Sequence, residues 1–210
     1  MNIRNEETKD YREVEELTRQ AFWNLHSPGC DEHYLVHVMR GHADFISNLD
    51  FVIEHEGRII ANIMFTKAKL VEKNGNAKEI LTFGPLSVLP EYQRKGYGRM
   101  LVEHSFKKAV EMGYDTIVIF GNPENYIPFG FKSSKHYNIY VGNNIFPTAL
   151  LVKELCDVAI PVGNWEFHES PIYELDSKAV EEFDKTFESV AKEYKQSQEL
   201  FYIYSHSQVN

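Results

Sequence analysis

The run Gly84-Pro85-Leu86-Ser87-Val88-Leu89-Pro90-Glu91-Tyr92-Gln93-Arg94-Lys95-Gly96-Tyr97-Gly98 constrains this chain more than any other stretch. The expected strand Ile80–Leu89 is interrupted at Gly84-Pro85, and proline has no N–H to give to a ladder, so pairing must break there. A Gln-x-x-Gly-x-Gly turn follows. Then Leu101, Val102, Ser105, Phe106, Ala109, Val110 and Met112 trace one face of a helix that Gly113 ends. Gly96 and Gly98 permit a tight backbone turn, so several N–H groups can point together at the head of that helix. Such a nest suits a phosphate or pyrophosphate.

The flanks complete the frame. Thr116-Ile-Val-Ile-Phe120 is a continuous apolar run, expected as a strand buried on both faces, and it closes a β-α-β unit over residues 80–120. Upstream, Phe51–Ile53 and Arg58–Val71 read as strands joined at His55–Arg58, and Asn74-Gly75 predicts a hairpin into the Ile80 strand. Asn2–Arg4 is a candidate opening strand. Val14, Leu17, Ala21 and Phe22 predict a helix from Asp10, broken by His26-Ser-Pro-Gly29, and a second runs from Asp31, as N-cap, to about Arg40. Asn122–Tyr126 predicts a short helix, and Phe129-Gly-Phe131 leads into another strand.

Beyond Gly142 the pattern loosens. Ala149–Leu155 fits strand or helix, and Pro161–Pro171 reads as loop with a short strand. From Asp176, the spacing of Ala179, Val180, Phe183, Phe187, Val190, Ala191 and Tyr194 predicts one helix whose apolar stripe packs in the core. The expectation is an α/β fold, a mixed and mostly antiparallel sheet flanked by helices. Residues 1–142 form its core, and 143–210 an extension packed on it.

A net charge of −9 and a pI near 5.5 argue against nucleic acid as the main partner. The acid excess mildly favours cationic substrates, while Arg94, Lys95 and Arg99 keep the glycine turn locally basic. No apolar stretch approaches the roughly 18 residues of a membrane helix, and the polar segment Met1–Asp10 does not read as a secretory signal. Cys30 and Cys156 make no disulfide framework, so the expected home is a reducing cytoplasm. Cys156 sits in an apolar run and reads as core. Oligomeric state stays open, a homodimer included.

Leu86–Gly98 resembles the acetyl-coenzyme A motif of the GNAT superfamily of N-acetyltransferases, Gln/Arg-x-x-Gly-x-Gly/Ala, and Asn122-Pro-Glu-Asn-Tyr126-Ile-Pro-Phe-Gly130-Phe131 resembles that family's Asn…Tyr-x-x-x-Gly-Phe segment. The resemblance covers roughly residues 1 to 140. It implies acetyl-CoA as co-substrate and transfer of its acyl group to a primary amine by direct attack in a ternary complex. It places Gln93, Arg94, Lys95, Gly96, Tyr97, Gly98 and Arg99 at the coenzyme phosphates. Leu86, Ser87 and Val88 fall along the pantetheine arm, with an amide near Val88 facing the oxyanion. Asn122 joins the coenzyme site, and Tyr126 falls where the family often protonates the departing thiolate.

The general base is the gap in this reading. Some family members carry a glutamate where this chain has Thr82, which cannot serve; a water chain, Glu32 or His33 remain as substitutes. His33 and His37 have an i, i+4 spacing that suits zinc, with His26, Cys30 and His42 nearby. Tyr34 occupies the position where a metalloprotease needs glutamate, so an amine pocket or plain surface is favoured and no metal is expected. Two competing readings stand beside the enzyme: a non-catalytic acyl-CoA-binding or sensing module, and a nucleotide-binding enzyme, which would lack Gly-x-Gly-x-x-Gly on a first parallel strand. The acceptor stays open among polyamines, amino sugars, antibiotics and protein amines. Its selection is expected from residues 22–42, the hairpin at Asn74-Gly75 and the extension.

Overall fold

A computed structural model describes residues 1–157 and 159–210. The chain runs β1 (Asn2–Asn5), α1 (Tyr11–Phe22), α2 (Glu32–Met39), β2 (Phe51–His55), β3 (Arg58–Glu72), β4 (Ala77–Val88), α3 (Tyr97–Glu111) and β5 (Thr116–Phe120). It continues through α4 (Pro123–Tyr126), β6 (Lys132–Ser133), β7 (Ile139–Tyr140), β8 (Leu150–Glu154), β9 (Trp165–His168), α5 (Ser177–Asp184) and α6 (Gln196–His206). The strands form one mixed, mostly antiparallel sheet of order β1-β2-β3-β4-β5-β8-β6, with β9 pairing both β3 and β7. Strands from both sides of residue 142 therefore share one sheet.

Two features of this sheet position the site. Between Ile63↔Leu86 and Phe65↔Phe83 the register slips, because Met64 alone faces Gly84 and Pro85. That is a bulge, placed where Pro85 has no donor to give. The second feature is a parting of strands. Parallel β4 and β5 pair only at Leu81↔Ile117, while the other edge of β5 ladders with β8 along its whole length, from Thr116 to Phe120.

Helices cover both faces. Leu35, Val36 and Met39 of α2 pack on Met64, while Leu101, Val102 and Ala109 of α3 join the main core with Ile63, Phe65 and Phe131. A second core gathers Leu70, Ile80, Val118, Ile139, Val152, Trp165 and Phe167 where β7 and β9 close over the sheet. Each such side chain, fully buried, contributes about 1.5–3 kcal/mol.

The structure corrects several expectations. Asp176–Tyr194 is not one helix: α5 stops at Asp184, and Val190 and Tyr194 are exposed. The reason is competition for the backbone, since the Ala191 carbonyl accepts from Trp23 Nε1 at 3.0 Å and Asn24 Nδ2 at 3.1 Å. A further helix, α6, follows where none was expected. Ala149–Leu155 resolves as strand β8, paired along its length with β5. Val110 and Met112 lie off the buried stripe of α3, and Phe120 projects from β5 into solvent. Cys156 is exposed rather than core, because β8 has ended by then and the chain turns outward.

Candidate active site

The exposed margin of β4 follows from strand alternation. Leu89 N–H donates to the Ile60 carbonyl at 3.0 Å, so the main chain of Leu89, and two residues earlier of Ser87, faces β3. Leu86 and Val88 must then direct their N–H and C=O groups the other way, into the gap left by β5. Gln93 Nε2 fills part of it by donating to the Val88 carbonyl at 3.1 Å. Ser87 is turned from the gap, with its hydroxyl 3.0 Å from Thr18 Oγ1 on α1.

The turn beyond β4 presents a second row of donors. Arg94 and Gly96 have φ of 59° and 92°, and Gly96 is the N-cap of α3 without a side-chain cap. No acceptor among the described residues meets the main-chain N–H groups of residues 94–99, while Met100 N–H already bonds Gly96. The first turn of a helix leaves its N–H groups unpartnered and carries the positive end of the macrodipole. Gly98 sits over the β4 margin: a Cβ there would lie 3.6 Å from Val88 Cγ2 and 3.8 Å from Leu86 Cδ2. Arg99 is engaged, 3.3 Å from Glu103 and with its guanidinium over the Phe129 ring. Arg94 and Lys95 are exposed and make no ion pair among the described residues; Lys95 Nζ lies 5.5 Å from the Tyr92 ring, which also meets Tyr97.

Tyr126 stands at the parting of the strands. Its ring packs at 5.7 Å on Phe83 of β4 and at 5.7 Å on Phe131. It also covers Gly121, just past β5, where a Cβ would come within 2.5 Å of Tyr126 Cε2. Gly121 is thus required by close approach. Desolvation pushes the phenol up to about 12, and its hydroxyl bonds no protein atom among the described residues. Asn122 is used locally: its Oδ1 caps α4 by accepting from Glu124 N–H at 3.0 Å.

The two residues offered as substitute bases are placed otherwise. His33 is fully buried, pushed down to about 4 by desolvation, and walled by Phe183 and Phe187. Its Nδ1 lies 3.3 Å from Cys30 Sγ, and its Nε2 is 3.3 Å from Asp184 Oδ1 without a hydrogen bond. This sequence of thiol, imidazole and carboxylate looks nucleophilic, yet burial raises the Cys30 thiol and removes it from solvent. It is packing. Glu32 pairs with His26 at 3.2 Å and His37 with Glu15 at 2.8 Å. No group of three ligand side chains among the described residues is placed to hold a metal ion.

The opposite face of the gap carries residues that sequence reading missed. The Tyr173 hydroxyl donates to the Gly84 carbonyl at 3.3 Å and accepts from Thr66 Oγ1 at 3.4 Å. Thr66 is the register partner of Thr82. Burial, with Glu169 nearby as a lesser cause, raises the Tyr173 phenol, while desolvation and the Glu174 carboxylate push Glu169 itself up to about 6. No local motif marks these residues; the pairing of β9 with β3, ending at Lys69↔His168, delivers them.

The Acetyltransferase (GNAT) family model matches residues 5–127. The uncharacterized N-acetyltransferase YhbS of Escherichia coli (strain K12) is 29% identical over 172 residues, covering 80% of this chain and 97% of that protein. A crystal structure of Escherichia coli YhbS in complex with CoA superposes with a TM-score of 0.68 at 25% identity, covering 83% of this chain and 92% of that one. A GNAT family acetyltransferase from Brucella melitensis, in complex with acetyl-CoA, shares the fold with a TM-score of 0.64 at 22% identity, over 82% of this chain and 97% of that one. No described helix is long and apolar enough to cross a membrane. A family match across more than half the chain, on a sheet that parts beside an open helix N-terminus, makes this chain a member of the GNAT acetyltransferase family.

Proposed function

We propose that this chain moves an acetyl group from acetyl-CoA to a primary amine by direct attack in a ternary complex. The observation that carries the reading is the continuity of open main-chain donors, from Leu86 and Val88 on the β4 margin to residues 94–99 at the head of α3. The CoA held by the structurally similar YhbS supports the same ligand here. The pyrophosphate would lie on the amides of residues 94–99, with Arg94 and Lys95 as exposed cations beside them. The pantetheine arm would pair with Leu86 and Val88 as an added strand.

The chemistry follows. The amine nitrogen attacks the thioester carbonyl, and the Val88 N–H stabilises the oxyanion that forms. The carbon–sulfur bond then breaks, its electron pair leaving on sulfur. Tyr126 stands at the strand parting where that sulfur would lie, and its raised pKa keeps the phenol protonated across the physiological range. Because a phenol near 12 is a weaker acid than a thiol, its main service is a hydrogen bond to the developing thiolate.

Tyr126→Phe tests the assignment. Thiol release is expected to fall about 100-fold while acetyl-CoA affinity, read by calorimetry, stays unchanged. Wild-type turnover in the variant would refute the role. The absence of a glutamate at Thr82 favours one rival, a non-catalytic acyl-CoA-binding module. That rival predicts acetyl-CoA binding with no thiol release from any amine.

A further inference from the structure

The proposed transfer leaves one proton without a destination. An amine of pKa near 10 enters as ammonium, and its nitrogen must shed protons before an amide can form. Thr82 cannot take them, His33 is sealed under Phe183 and Phe187, and Glu32 is committed to His26. Resting on the acetyl-transfer reading, we propose that Glu169, delivered by the segment after β9, is the catalytic proton acceptor for the amine.

Geometry carries the placement. The ladder Leu70↔Phe167 and Lys69↔His168 brings the end of β9 alongside the middle of β3. Ser170 pins the next step, donating to Asp44 Oδ2 at 2.8 Å and lying 3.4 Å from His42 Nδ1. Tyr173 then inserts its hydroxyl between the Gly84 carbonyl and Thr66 Oγ1. Glu169 is thus held within charge reach of Tyr173, whose hydroxyl meets Thr66 and Gly84 at the bulge where β4 leaves β5. Phe167 meets Phe120 at the end of β5, ring centroids 5.9 Å apart, so this segment spans the mouth of the gap. The face is opposite to that of Tyr126 and the Phe83 cluster. An amine approaching from the Glu169 side would meet a thioester held from the other.

The electrostatic setting suits a base. Glu169 faces Glu174 and Tyr173 of its own segment, while His42 and Asp44 of the loop after α2 meet the next residue, Ser170, and the neutral Thr66 meets Tyr173. Glu169 is exposed and accepts no hydrogen bond among the described residues. A carboxylate near 6 is ionised at neutral pH and more basic than an ordinary glutamate, which narrows the mismatch with an ammonium. Glu169 first takes one proton from the ammonium and passes it to water. The free amine then forms the carbon–nitrogen bond, its second proton passes to Glu169, and the carbon–sulfur bond breaks with its electrons on sulfur. That second proton reaches the thiolate through water, and CoA leaves as the thiol.

The test measures thiol release with spermidine, glucosamine and an alanyl peptide across pH 5–9, alongside calorimetry with acetyl-CoA. In the wild type, kcat is expected to rise with pH through a midpoint near 6, where Glu169 ionises. Glu169→Gln should lose that limb and about 100-fold in kcat, with acetyl-CoA affinity and melting temperature retained. Glu174→Gln should shift the limb to lower pH by removing the neighbouring charge. A Glu169→Gln enzyme with the wild-type limb and turnover would overturn the proposal while sparing acetyl transfer. A wild type that binds acetyl-CoA but releases no thiol with any of the three amines would overturn both.

Discussion

The corner joining β4 to α3 and the segment from Asp184 to His206 are built on opposite principles. The corner is local: within Gly84–Gly98 a bulge, a positive φ at Gly96 and an uncapped helix start are each fixed by near neighbours. The C-terminal segment is held by partners more than 160 residues away. Asp184 reaches Arg19 at 2.7 Å, Ser197 Oγ donates to the Leu25 carbonyl at 2.8 Å, and Phe201 stacks on His26 at 4.4 Å. The difference teaches where damage should appear. A fault in the corner should appear in ligand affinity, and a fault in the C-terminal segment in stability.

Asp184→Ala should give the largest effect. It strips the carboxylate from the buried Arg19, whose Nη2 already lacks a partner. Removing one member of a buried pair costs about 3 kcal/mol, so the urea midpoint should drop sharply while acetyl-CoA affinity holds. A matching loss of affinity would break the separation of the two regions.

Acid probes the same contact from the other side. His33 has a folded pKa of about 4, below its unfolded value of 6.5. The unfolded chain therefore binds the extra proton first, and this contribution is lost as pH falls below 6.5, fully so below 4. Between pH 7 and pH 5 the loss from this group should be about 2 kcal/mol. Urea titrations at the two pH values should show a smaller difference in His33→Gln than in the wild type.

Gly96→Val turns to the corner. A β-branched residue at φ of 92° is strained by roughly 1–2 kcal/mol, and this exposed turn can relax only by turning its amides aside. About a tenfold loss in acetyl-CoA affinity is expected by calorimetry, with the urea midpoint little changed. A lowered midpoint with full affinity would show that the corner serves the fold rather than the ligand.

The contrast also explains what the sequence disclosed. The order of β2, β3, β4, α3 and β5 was legible because each carries its own period and punctuation, while the free edge at Leu86 to Val88 was an implication of the resemblance that the break at Gly84-Pro85 fitted. Tyr126 came from the family resemblance, four residues before Gly130, and its ring packs on Phe83 and Phe131. The split of Asp176–Tyr194 into α5 and an extended run was not legible, because Trp23 and Asn24 capture the Ala191 carbonyl from far away. Glu169 and Tyr173 stayed hidden for the same reason. Neither has a local signature, and only the register of β9 on β3 brings Tyr173 to Thr66 and Gly84, with Glu169 beside it.

The smallest expected effect is the sharpest test of how tightly the C-terminal segment is bound. Gln198 is buried in α6 and its Nε2 donates to the Asn24 carbonyl at 3.1 Å and the Glu193 carbonyl at 2.9 Å. Gln198→Ala should cost about 1 kcal/mol. Leu200, Tyr202 and Ile203 are exposed, so α6 has little apolar burial of its own and depends on such polar ties. A helix so held can open alone, below the global transition. Amide exchange should therefore quicken about fivefold across residues 196–206, while β3 and β4 exchange at the wild-type rate. If the strands quicken equally, α6 is welded to the sheet, and the two regions share one cooperative unit after all.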